Sequence, residues 1–230
     1  MSRALVIAHR GASDRELENS LAAFRAAAAL GADAVELDVH AAADGTLIVH
    51  HDATIAGRHH IPALSGRAVR ELRLANGEPP PTLDEALAAA GARLAVFVEV
   101  KTLPPRFDGR LLDALRQGPN PAGYAVHGFD HRIVQRLGTA QPTLRRGILS
   151  ASYPVRPLVP LGDAGATMLW QERSLVDRAL ADALHAARAE LIVWTADDPE
   201  EIKRLLGIGV DGVCTNHVDV GRRAVDAGAA

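Results

Sequence analysis

Short runs of apolar, largely β-branched residues alternate along this chain with stretches of helical spacing rich in Ala, Leu and Arg. Strands are predicted over 5–9, 34–40, 94–100, 124–129, 144–149, 167–170, 191–195 and 212–215. Helices are predicted over 20–30, 83–90, 110–117, 131–137, 175–187, 199–206 and 218–227, with Gly31, Gly91, Gly118 and Gly207 marking helix ends. Eight strands separated by helices, with no Gly-rich dinucleotide fingerprint, favour an α/β fold of the (β/α)8 TIM-barrel type over a doubly wound sheet. Two stretches fit poorly, so the expected barrel is somewhat distorted. Residues 150–166 carry three prolines and no convincing helix. Residues 47–51 read as a short extra strand, followed by a loop-rich insertion that ends in Pro79-Pro80-Pro81. With no linker and no repeat of fixed period, residues 1–230 are expected to form one domain.

Composition narrows the partners. Apolar residues make up 48% of the 230 and aromatic ones 3%, so the core must be built from Ala, Leu, Val and Ile. A net charge of −3 without a basic cluster leaves no field for nucleic acid and no anchor for acidic lipid, so neither nucleic-acid binding nor stable membrane association is expected. The single cysteine, Cys214, excludes an internal disulfide framework and a multi-cysteine zinc site. The apolar run near Met1 is too short for a secretion signal, and no segment approaches the roughly 20 apolar residues of a membrane span. A cytoplasmic location is the expectation, and the sequence leaves the oligomeric state open.

Chemistry concentrates where the predicted strands end. Glu36 and Asp38 lie two apart on one strand and so share a face. Glu99 closes another apolar run, and Lys101 shares its face two residues on. Buried carboxylates are costly unless a cation or hydrogen-bond donors compensate them. Three of them suit one Mg²⁺ or Ca²⁺, with water and a substrate oxygen completing the shell. His9 and His51 also end apolar runs, as an acid–base pair requires. Arg10 and Lys101 offer donors to phosphate. The other histidines, His127 and the adjacent pair His59-His60 among them, read as structural or surface residues.

These residues fall in a pattern that resembles the glycerophosphodiester phosphodiesterases, within the phospholipase-C-like phosphodiesterases. It comprises His9-Arg10-Gly11, Leu17-Glu18-Asn19-Ser20, Glu36-Leu37-Asp38-Val39, Asp44-Gly45 and His51-Asp52. Thr82-Leu83-Asp84-Glu85, Glu99-Val100-Lys101, Phe129-Asp130-His131, Val193-Trp194-Thr195 and Gly209-Val210-Asp211-Gly212 continue it, leading into Thr215-Asn216. Each string is weak alone, and their joint order is specific. The resemblance implies a distorted TIM barrel with one divalent cation on Glu36, Asp38 and Glu99. It implies His9 and His51 as general acid and base, Arg10 and Lys101 on the phosphate, and Asn19 beside metal and phosphate. Trp194 would face the substrate alcohol, and Glu18 is taken as structural. The implied reaction is hydrolysis of a small glycerophosphodiester to sn-glycerol 3-phosphate and an alcohol. Two rivals are a lysophospholipase-D or sphingomyelinase-D-like activity and a barrel that only binds phosphate ligands. Ser20 where threonine is commoner, and His50 before His51, depart from the family pattern.

Overall fold

Val and Ile crowd the predicted strands, and they form extended backbone in the structure, a computed structural model that describes residues 3–228. The first half runs β1 (Leu5–Ala8), α1 (Leu21–Ala29), β2 (Ala34–Ala41), β3 (Leu47–Val49), β4 (Thr54–Ile55), β5 (His59–His60), α2 (Gly66–Arg70), α3 (Leu83–Ala90), β6 (Ala95–Thr102) and α4 (Asp108–Gln117). The second runs β7 (Tyr124–His127), α5 (His131–Ala140), β8 (Arg145–Ser150), α6 (Leu158–Ala164), β9 (Met168–Glu172), α7 (Arg178–Ala186), β10 (Glu190–Trp194), α8 (Pro199–Ile208), β11 (Gly212–Thr215) and α9 (Val218–Gly228).

The parallel strands follow the order β1-β11-β10-β9-β8-β7-β6-β2, and β1 also pairs with β2, which closes the ring. The chain is thus a TIM barrel, as its alternating pattern predicts. β3 adds antiparallel to β2, and β4 and β5 form a separate hairpin in the insertion. Strand periodicity sorts the core into two populations. Ile7, Phe97, Ala125, Met168, Trp170, Ile192 and Cys214 cluster inside the ring. Val6, Val35, Leu37, Val96 and Val98 belong to the cluster that joins strands to helices, with Phe24, Leu83, Leu87 and Leu111 from the helical layer. A small core of Ala42, Ile48, Ile55, Ile61 and Val69 holds the insertion against β3.

Three details differ from the sequence expectations. A helix, α6, does occupy the proline-rich segment: Pro157 is its N-cap and Pro160 falls in its first turn. N–H groups there have no intrahelical acceptor, so proline removes nothing. Gly207 lies within α8, and the helix ends instead at Gly209, whose φ of 98° provides the left-handed stop. The predicted helix over 175–187 starts later, at Arg178, where Asp177 caps it by accepting from the Leu180 N–H. The Thr82-to-Glu85 string is a capping box at the start of α3, so its chemistry is structural.

Candidate active site

Barrel register decides which strand-end residues meet. Asp38 on β2 is the register partner of Glu99 on β6, and Glu99 is the partner of His127 on β7. Glu36 lies two residues before Asp38 on the same face. His9 and Arg10 directly follow β1, His51 follows β3, and Trp194 ends β10. A cavity of ≈130 Å³ is lined by His9, Arg10, Glu36, His51, Glu99, Lys101 and Trp194, together with His127, Phe129, Trp170 and Cys214. Asn19 and Asp38 stand behind that wall. The roomier clefts, of ≈500 and ≈840 Å³, open at the other end of the barrel, beside residues such as Asp33 and Leu94 or Ala4 and Asp211.

Asp38 organises the cations. Its Oδ1 lies 3.1 Å from Lys101 Nζ, and its Oδ2 lies 3.2 Å from Arg10 Nε. Asn19 Nδ2 donates to Asp38 Oδ2 at 2.8 Å, and Asn19 Oδ1 accepts from the Asp38 N–H at 3.3 Å. Asn19 is therefore a two-point clamp on Asp38, while the cap of α1 is Ser20, which accepts from Ala23 N–H. Burial pushes the Asp38 carboxyl up, but Lys101, Arg10 and the Asn19 amide outweigh it and hold it below its ordinary range. Glu36 goes the other way. Full burial, then the charges of Asp38 and Glu99, drive it well above the carboxylate range. Burial likewise raises Glu99 to about 7, although Lys101 Nζ sits 2.7 Å from its Oε1.

Backbone strain accompanies this cluster. Arg10 and Asn19 both have φ of 56°, in the left-handed region that costs a side-chain-bearing residue roughly 1–2 kcal/mol. The turn brings the Arg10 N–H to 3.2 Å from Glu36 Oε2 and the Arg10 carbonyl to 2.9 Å from Asn19 N–H. Gly11 follows with φ of 84°, and a Cβ there would sit 2.7 Å from Ala23. Arg10 Nη1 also donates to both oxygens of Glu18, at 2.9 and 3.0 Å. Glu18 thus steers the guanidinium, a partnership that the sequence does not reveal.

The two histidines are held differently. His9 Nδ1 lies 2.8 Å from Asn216 Oδ1. Asn216 Nδ2 donates to Asp197 Oδ2 at 2.7 Å, which fixes the amide oxygen toward His9. Hence His9 Nδ1 carries the proton and donates, and Nε2 keeps its lone pair. Burial and the Arg10 charge lower the His9 imidazole from its ordinary 6.5. His51 Nδ1 instead faces a carboxylate, Asp52 Oδ1 at 2.9 Å, at a more exposed position. Trp194 Nε1 donates to the Trp170 carbonyl at 3.1 Å and meets the half-exposed Phe129 edge to face, with ring centroids 5.6 Å apart. Phe129, known from the sequence only as part of the Phe129-Asp130-His131 string, extends this wall.

His127, read from the sequence as structural or surface, lines the same cavity. It is 1% exposed, and one of its nitrogens lies within 4.8 Å of carboxylate oxygens of Glu36 and Glu99. The signal was its phase, since it stands on the predicted strand 124–129 as Glu99 stands on 94–100. Which residues face one another across strands is not written in either string. His59 and His60, by contrast, sit on the outlying hairpin strand β5.

A closed parallel barrel with carboxylates, cations and histidines at the C-terminal ends of its strands is the arrangement of a barrel enzyme. A model of the glycerophosphoryl diester phosphodiesterase family matches residues 9–220, and the chain belongs to that family. It is similar to a glycerophosphodiester phosphodiesterase of Caldanaerobacter subterraneus subsp. tengcongensis, at 29% identity over 93% of this chain and 94% of that protein. Glycerophosphodiester phosphodiesterase 1 of Homo sapiens is 39% identical over 43% of this chain and 34% of its own length. Among solved structures, a phosphodiesterase of Oleispira antarctica in complex with the product sn-glycerol-3-phosphate superposes with a TM-score of 0.90 at 22% identity, covering 97% of each chain. A glycerophosphodiester phosphodiesterase of Parabacteroides distasonis gives 0.89 at 23% identity, covering 99% of each.

Proposed function

We propose that this chain hydrolyses glycerophosphodiesters to sn-glycerol 3-phosphate and a free alcohol, with His9 as general base and His51 as general acid. One observation carries the reading. Two histidines with different partners converge on a single cavity with Arg10, Lys101 and buried carboxylates, in a chain of this family. His9, kept unprotonated by burial and Arg10, takes the proton of the attacking hydroxyl at Nε2. That hydroxyl belongs to water or to the substrate's own glycerol. His51, paired with Asp52, gives a proton to the departing alkoxide oxygen. Arg10 and Lys101, held by Asp38, lie against the phosphoryl oxygens. Trp194 walls the alcohol side, and Asn19 keeps Asp38 in register with both cations.

The residues present fit one divalent cation. Glu36 and Glu99 line one small cavity and come within ligand spacing of one another, while Asp38 lies outside that group, its Oδ1 buried without an aligned hydrogen bond among the described residues and 3.1 Å from Lys101 Nζ. Glu36, Asp38 and Glu99 would hold the ion, Mg²⁺ or Ca²⁺ by the hardness of their oxygens. When bound, it supplies charge neutralisation at the phosphoryl oxygens.

Release of glycerol 3-phosphate from glycerophosphocholine and glycerophosphoethanolamine, by metal-stripped protein before and after Mg²⁺, Ca²⁺ or Mn²⁺ addition, tests the reading. Metal-restored release supports it, and folded protein that stays inert with Mg²⁺, with Ca²⁺ and with Mn²⁺ overturns it. A second reading, hydrolysis of lysophospholipids, is favoured by the exposed apolar side chains Phe129, Tyr153, Val155, Leu158 and Val159, which follow β7 and β8 at the strand C-terminal ends. Preference for lysophosphatidylcholine over glycerophosphocholine in the same assay would favour it. Among the described residues no helix is long and apolar enough to cross a membrane, and we propose a cytoplasmic site of action.

A further inference from the structure

His127 sits where the strand register brings an imidazole beside Glu99, and three adjacent barrel strands, β2, β6 and β7, each contribute one side chain to the group Glu36, Glu99 and His127. One candidate ligand atom from each lies within 4.8 Å of the other two. Ligands held about 2.0–2.2 Å from one ion stand about 3 Å apart when adjacent and about 4.3 Å when opposite. The group is therefore close to the spacing one ion imposes. Among the described residues His127 Nδ1 is buried and has no hydrogen-bond partner, and one of the two ring nitrogens is the atom within 4.8 Å of the carboxylates. An unpartnered polar atom in the interior is costly and needs a reason. The ring is also immobilised. It stacks on Trp170, with centroids 4.2 Å apart and planes 3° from parallel, and meets the Phe97 ring edgewise at 6.5 Å. A fixed imidazole on the wall of the same small cavity as Glu36 and Glu99 is what a ligand requires, and a purely apolar side chain would serve better if packing were its only task.

We propose that His127 is a ligand of the catalytic cation, giving this site a mixed oxygen–nitrogen set that takes Mn²⁺ or Co²⁺ in preference to Ca²⁺. This rests on the reading that a divalent cation works in this cavity. Carboxylates alone suit Mg²⁺ and Ca²⁺, whereas imidazole nitrogen shifts a site toward first-row transition ions. Stacking on Trp170 and the edgewise contact with Phe97 hold the ring in one orientation.

Metal-free protein loaded with Mn²⁺ and studied by pulsed electron paramagnetic resonance reads the ligand directly, with ¹⁵N-histidine labelling to identify the nitrogen. The expected result is one bound ion with histidine nitrogen coupling that is lost in His127→Gln. Calorimetry should show Co²⁺ affinity falling at least about tenfold in that variant, with Ca²⁺ affinity changing far less. Bound Mn²⁺ without nitrogen coupling, or coupling that persists in His127→Gln, overturns the role of His127 and leaves the cation reading standing. Wild-type protein that binds none of these ions overturns both. If His127→Gln fails to fold, wild-type Mn²⁺ coupling is compared between His9→Ala and His51→Ala. Coupling unchanged in both supports His127, and its loss in either assigns the nitrogen to that residue instead.

Discussion

Inside the barrel, Ile7, Phe97, Met168 and Ile192 fill the half nearer the strand N-termini, each fully buried. Two residues further along stand Glu99, Trp170 and Trp194 on their strands, and His9 just past the end of β1. The backbone geometry is shared and the side chains do opposite work. The lower half removes apolar surface from water, which stabilises the fold. The upper half buries carboxylates, strains the backbone at Arg10 and Asn19, and leaves polar atoms such as Asp38 Oδ1 and His127 Nδ1 without aligned partners among the described residues. One end stabilises the barrel, and the other uses part of that stability to keep a reactive cluster assembled.

The largest expected effects are at the mouth. His9→Ala and His51→Ala should each lower turnover by roughly 10²–10⁴-fold with the thermal midpoint nearly unchanged. In wild type the acid limb of kcat/KM should lie below pH 6.5, because burial and Arg10 lower His9, which must be unprotonated to act. Near-full activity in a folded variant would remove that histidine from the reaction. At the floor the signature inverts. Ile192→Ala should cost about 2–5 kcal/mol in chemical denaturation while kcat changes little. A large loss of kcat there, without loss of stability, would show that floor and mouth are not separable.

Between these extremes, Asn216→Ala tests positioning. Without the amide oxygen, His9 loses the acceptor that fixes its tautomer, and kcat should fall about 10²-fold with KM little changed. A change confined to KM would argue for substrate contact instead. The smallest effect concerns the cost of the mouth itself. Glu99→Gln in metal-free protein should be stabilising by about 0.5–2 kcal/mol near pH 8. The sign follows from linkage. The folded-state value of Glu99 is raised to about 7, so the folded chain binds a proton that the unfolded chain releases above about 4.5. That contribution is fully present below the unfolded value and is lost as pH rises through about 7. The thermal midpoint of Glu99→Gln relative to wild type should therefore climb between pH 5 and pH 8, and a flat difference would mean that Glu99 is not raised.

Much of the site was legible because strand periodicity is local. Glu36 and Asp38, two apart in an apolar run, had to share a face, and Glu99 and Lys101 repeated the arrangement. Histidines ending such runs fell at the mouth of the barrel for the same reason. Asn19 entered only through the family resemblance, and its contact with Asp38, with Ser20 capping α1, depends on a left-handed turn at Arg10 and Asn19. Proline in 150–166 misled, because its effect depends on where a helix begins, and α6 begins just early enough to tolerate Pro160.

What the sequence alone determined was the parallel barrel and the set of side chains that faces its interior, through two periodicities that act over a few residues. What the tertiary structure decided was adjacency: Glu99 beside His127, Asn216 behind His9, and Glu18 on Arg10. Register between strands far apart in the chain is set by closing a twisted sheet on itself, and that condition belongs to all the strands together.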